Sequence, residues 1–117
     1  MRIIMPRGDL YPVRFQIYET ATEITHIDFS QIYMTCKKNN KERTPLFQKS
    51  LSSGTITKID DGDYQFFIEP EDTNDLQFGE YVFDIELIND SDPRIKQTVS
   101  GTLRLAEETT WAVNEVR

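Results

Sequence analysis

The 117-residue chain has one cysteine, one histidine and one tryptophan. The lone Cys36 excludes an internal disulfide, and nothing in it argues for an oxidising compartment. The lone His26 leaves little material for a Ser-His or Cys-His device, and no Gly-x-Ser-x-Gly elbow accompanies it. Together the two fall short of the three or four ligands that a zinc site needs. No run of 18 apolar residues exists, so no membrane-crossing helix is expected. The apolar stretch at Met1–Met5 is too short for a signal peptide, which leaves a protein made and folded in a cytoplasm as the expectation. Basic charge is also scarce: 13 Lys and Arg stand against 20 Asp and Glu, a formal net charge of −7. Such a field repels a phosphate backbone, so nucleic-acid binding is not expected.

The charge is unevenly placed. Residues 1–51 hold eight basic and five acidic side chains, net +3, and residues 52–117 hold five and fifteen, net −10. A basic and an acidic zone on one surface would suit head-to-tail contacts between copies. Solvated loop charge is the plainer account.

What the chain does have is alternation. Apolar content is 38%, below the usual range of about 45–50%, yet seven Phe and five Tyr are spread through the sequence. Val13, Phe15 and Ile17 share one parity, as do Ile32, Met34 and Cys36, and Tyr64, Phe66 and Ile68. The cleanest run is Tyr81, Phe83, Ile85 and Leu87 against Glu80, Val82, Asp84 and Glu86. Ile95, Val99, Leu103 and Leu105 form another, and Pro45–Leu51 and Thr55–Ile59 are weaker. Period 2 marks half-buried strands. Asp60–Asp63 reads as a hairpin turn with Gly62 at positive φ, Asn89–Pro93 as a second turn, and Glu69–Asp75 as a crossing with one helical turn. About seven such strands predict an antiparallel sandwich or barrel over residues 1–106. Glu107–Arg117 lacks alternation and is expected to be a tail or short helix. Its Trp111 either packs on a neighbouring subunit or covers the domain's own core.

Gly79-Glu80-Tyr81 opens the cleanest strand just after the crossing. That is the setting of a tyrosine corner, in which the phenol bonds back to the loop backbone; a plain tight turn fits the same letters. The corner points to an immunoglobulin-like sandwich, though not the antibody type. That type needs a cysteine where Phe83 stands, and a core Trp that Pro45–Leu51 lacks. Cys36 lies on the Ile32/Met34 parity and reads as a small core residue rather than a nucleophile. His26 reads as a surface or capping residue. With 20 acidic residues some carboxylate pair always exists, so pairs carry no signal for a glycosidase.

If the strands follow sandwich order, the acidic turns Asp60–Asp63 and Asn89–Asp92 share one end with the basic loop Lys37–Arg43. The cations there weaken a calcium reading and favour mutual steadying or the steering of a partner. Arg7-Gly8-Asp9 spells an integrin tripeptide but leads into a strand, so it reads as a turn. No catalytic residue, metal or cofactor is expected. The expected partner contacts are Lys37, Lys38, Lys41, Arg43 and Trp111, with Gly79 and Tyr81 structural.

Several of these segments, in order, resemble a small immunoglobulin-like domain of tailed-bacteriophage virion proteins. They are Arg7-Gly8-Asp9, Gly62–Ile68, Asp72-Thr73 before Leu76 and Gly79, Tyr81–Leu87, Ser100–Leu103 and Glu108-Thr109. The Lys-rich loop and the tail from Thr110 depart from that pattern. The resemblance implies a non-catalytic structural protein of the virion: a capsid decoration protein, or a tail, baseplate or fibre adaptor. Its implied partners are other virion proteins and copies of itself. The alternative is a carbohydrate-binding or adhesion module using Tyr18, Tyr33 and Phe67, which fall on the outward parity of their strands.

Overall fold

The computed structural model describes residues 1–18, 20–25, 29–89 and 96–107, Lys96 by its backbone alone. Among the described residues eight strands and one helical turn follow one another. They are β1 (Arg2–Pro6), β2 (Tyr11–Gln16), β3 (Gln31–Lys37), β4 (Phe47–Ser50), β5 (Ile56–Asp60), β6 (Asp63–Ile68), α1 (Pro70–Thr73), β7 (Gly79–Ile88) and β8 (Lys96–Ala106). They form two sheets, a five-stranded one in the order β1-β8-β7-β3-β4 and a three-stranded one in the order β2-β6-β5. The protein is an all-β sandwich.

Alternation assigns the faces. Ile32, Met34, Cys36, Tyr81, Phe83, Ile85, Leu87, Leu103 and Leu105 are buried from the larger sheet. Val13, Phe15, Ile56, Tyr64, Phe66 and Ile68 meet them from the smaller one. Each large apolar side chain so buried contributes roughly 1.5–3 kcal/mol. Phe15 stacks on Tyr64 at 5.7 Å between ring centroids and tilts against Phe66 at 6.1 Å. Gly101 sits on the inward parity of β8 opposite Phe83. A Cβ there would stand 2.5 Å from the Phe83 ring and 2.6 Å from the Met1 carbonyl, so the ring fills the place of a side chain.

Three features depart from the expectation. Arg2–Pro6 is a strand that the sequence reading leaves out; Ile3 and Met5 face the core, and β1 runs parallel to β8. Its partner lies about a hundred residues on, and the unbroken run Ile3-Ile4-Met5 blurs the alternation. Val99 shares the parity of Leu103 and Leu105 but is 42% exposed. It lies on the stretch of β8 that β1 does not reach, since β1 pairs with Thr102–Ala106 alone. Ile95, of the same predicted run, lies outside the described residues.

The third departure is a correction to the layout of charge. β3 and β7 are antiparallel, with Gln31 opposite Ile88 and Lys37 opposite Val82. The basic loop after Lys37 and the turn after Ile88 therefore leave at opposite ends of the sandwich. The Asp60–Asp63 hairpin goes with the second of these. Gly62 accepts from the Ile17 amide, at the start of the β2–β3 crossing. The same crossing ends at Ser30, which donates to Ile88. The basic loop and the acidic hairpin are thus separated, and they do not steady each other. Asp90–Asp92 lie outside the described residues.

Candidate functional site

The basic loop is built from an Asx turn. The Asn39 side-chain oxygen accepts from the amides of Lys41 at 2.9 Å and Glu42 at 3.1 Å, which reverses the chain without a strand partner. Lys38, Lys41 and Arg43 are exposed and Lys37 half-buried. None of the four pairs with a carboxylate among the described residues. Asn40, at the tip, leans over the outer face of the larger sheet. It lines a shallow groove of about 400 Å³ with Val82, Asp84, Ser100 and Thr102. The loop thus offers uncompensated positive charge beside a polar sheet face. Trp111, the other predicted contact, lies outside the described residues, as does His26.

The start of β7 is fixed as its residues suggest. The Tyr81 hydroxyl donates to the carbonyl of Gln77, four residues back, at 2.7 Å. Gly79 has φ +138°, a backbone region where a side chain is strained. The α1 turn just before it carries a polar cluster that sequence reasoning misses. Lys49, on the inward parity of β4 with Phe47, is buried and meets Asp72 at 2.6 Å. The same Asp72 oxygen accepts from the Glu69 amide at 2.8 Å, closing the helix N-terminus. Thr73, wholly buried, accepts from the Gly8 amide at 2.8 Å. A lysine inside a strand reads as outward-facing unless its parity is given more weight than its charge, and β4 is too short for parity to be firm.

Arg7-Gly8-Asp9 lies where the chain crosses from the larger sheet to the smaller. Arg7 donates to the Leu76 carbonyl at 3.2 Å, and its guanidinium stacks 4.2 Å above the Phe78 ring. The tripeptide is a strap tied to the β6–β7 crossing.

Two of the three carboxylates of the acidic hairpin are paired from their own sheet. Arg14 donates to both oxygens of Asp63, from Nε at 2.9 Å and from Nη2. Those hydrogen bonds hold the Asp63 carboxyl below the usual aspartate range and raise Arg14. Asp61 pairs with Lys58 at 3.1 Å. Among the described residues no three His, Cys, Asp or Glu side chains converge to hold a metal. Cys36 is buried, and burial, helped by the nearby Asp72 charge, pushes its thiol up to about 12. Such a thiol supplies almost no thiolate near neutral pH.

The three outward aromatics do not share a platform. Tyr33 belongs to the outer face of the larger sheet and Phe67 to the outer face of the smaller, on opposite sides of the molecule. Tyr18 follows β2 and donates to Gln16 at 2.9 Å. The parity of each strand gives outward, but which outward face depends on sheet membership.

No protein-family model, curated protein or solved structure matches the chain. Among the described residues no helix is long and apolar enough to cross a membrane.

Proposed function

We propose that the chain is an immunoglobulin-like domain acting as a non-catalytic structural protein of a tailed-phage virion, through protein–protein contacts. In that reading β2, β6 and β5 form one sheet of the Greek-key sandwich, and β3, β7 and β8 the centre of the other. The observation that carries the reading is where the resembling segments fall. Arg7–Asp9 is the sheet-crossing strap, Gly62–Ile68 is the hairpin and β6, and Asp72-Thr73 lies in α1. Tyr81–Leu87 is the centre of β7, and Ser100–Leu103 pairs with it in β8; the closing Glu108-Thr109 lies outside the described residues. Segments that are individually weak as motifs thus make up the central strands and corner of one domain. A buried, protonated Cys36 supports the non-catalytic part, and the exposed cations of the Lys37–Arg43 loop supply a docking surface. The scattering of Tyr18, Tyr33 and Phe67 favours this reading over a carbohydrate-binding module, whose aromatics need a common plane.

Mass spectrometry of particles purified from the phage that carries the gene tests the proposal. The chain is expected at a fixed copy number relative to the major capsid or tail proteins. Intact particles without it would overturn the reading, and selective binding on a glycan array lost on Tyr33→Ala would favour the alternative.

A further inference from the structure

β8 spans Lys96–Ala106, but β1 covers only Thr102–Ala106 of its outer edge. Among the described residues no strand pairs with that edge from Lys96 to Gly101. The Thr102 amide donates to Met1 on the β1 side. Peptide groups alternate along a strand, so the N–H and C=O groups of Thr98 and Ser100 face the same open side. On the uncovered stretch Lys96 alone carries a charge, and Gln97-Thr98-Val99-Ser100-Gly101 has neither charge nor proline, the usual guards of an exposed edge. Beside it, between the sheets, lies a cleft of about 230 Å³ with an apolar floor of Phe15, Ile85 and Leu87. Its rim includes Met1, Tyr18 and Val99, which are 51%, 51% and 42% exposed. An open hydrogen-bonding edge beside an apolar slot is what an added strand requires: backbone groups to pair with, and a pocket for alternate side chains.

An uncharged apolar segment outside the described strands fits, Thr110-Trp111-Ala112-Val113, where Trp111 and Val113 share a strand parity. Chain length keeps it from its own cleft. Val99 stands about 23 Å from Ala106 along β8, at roughly 3.3 Å per residue. Reversal after Glu107 uses about two residues, so Trp111 returns by no more than about 10 Å. β1 also occupies the intervening edge.

We propose that the edge and cleft receive the segment Thr110–Val113 of a second copy, added as a strand beside Gln97–Gly101 with Trp111 in the cleft. The segment leaves one end of β8 and the cleft lies toward the other, so the contact is head-to-tail and propagates into rings or filaments. The inference rests on reading the chain as an assembly protein. Self-association is measured without any virion component, however, so either can fail alone.

Sedimentation velocity on the full chain and on two variants tests it. One variant lacks residues 108–117. The other, Thr98→Pro, removes an edge N–H that β7 does not use. The full chain is expected to self-associate with concentration, and Trp111→Ala to weaken this by about tenfold or more. Each variant alone is expected to be monomeric, while an equimolar mixture forms a one-to-one dimer, the Thr98→Pro copy lending its tail to the tail-less copy's edge. If Thr98→Pro lowers the melting temperature, Val99→Lys takes its place in the mixture. A full chain monomeric up to about 1 mM, a tail-less variant that associates as before, or folded variants that do not complement would each overturn the proposal.

Discussion

At the level of single residues, two side chains with ordinary sequence signatures hold specific positions. The Tyr81 phenol ties the β7 start to the Gln77 carbonyl at 2.7 Å. Tyr81→Phe keeps the ring and loses the bond, so it is expected to cost about 0.5–1.5 kcal/mol in denaturant unfolding with an unchanged m-value. Asp63 is legible as a hairpin residue, but its partner Arg14 lies 49 positions earlier and only sheet pairing reveals it. Arg14 lowers the pKa of Asp63 in the folded state, so the unfolded chain binds the proton more tightly. The stabilisation is then complete above the ordinary aspartate value of about 3.9 and is lost as pH falls through the depressed folded value. The melting-temperature gap between wild type and Asp63→Asn should stay constant from neutral pH down to about pH 5 and close at lower pH. A gap that widens on acidification would contradict this sign.

Among the elements, β4 and α1 depend on one another. Lys49 and Asp72 are joined inside the molecule, with side chains 8% and 14% exposed. Removing one partner leaves the other charge buried and unpaired, which typically costs about 3–5 kcal/mol. Asp72→Ala should fall in that range in equilibrium unfolding, since it also loses the bond from the Glu69 amide. Lys49→Met with Asp72→Asn removes both charges and should recover most of the loss. Failure of the double variant to recover would mean that the pair stabilises by more than neutralising itself. The strands were readable to differing depths. β3, β6 and β7 show in the pattern because each alternates over six or more residues. β1 does not, because its pairing is parallel and distant in sequence, and β4 is short and carries a charge on its buried face.

For the whole molecule, topology decides where charge and aromatics lie. The antiparallel register of β3 and β7 sends the Lys37–Arg43 loop to one end, and the backbone bonds of Ile17 to Gly62 and of Ser30 to Ile88 place the Asp60–Asp63 hairpin at the other. The unpaired cations of the loop and the largely paired carboxylates of the hairpin therefore lie apart. Replacing Lys37, Lys38, Lys41 and Arg43 together by Gln should shift stability little, since surface substitutions usually stay within about 0.5 kcal/mol each. If the chain docks on a particle as proposed, its rebinding to particles lacking it should slow, and the rate should lose much of its salt dependence. An unchanged rate would move the docking surface away from this loop.

The sequence by itself determined the class of structure. Period-2 burial, glycine at the hairpin and a tyrosine after the crossing are local instructions, each read from neighbours within a few positions. The core status of Cys36 followed from the same parity. Only the tertiary structure decided which strands share a sheet, and everything that depends on it. Because outward means a different side for each sheet, Tyr33 and Phe67 face apart. Because β1 stops short on β8, Val99 is left at an edge that no described strand covers. Because β4 turns Lys49 inward over α1, a charge that looks exposed is buried against Asp72. These are contacts between residues far apart in the chain, and alternation within a strand carries no information about its neighbour.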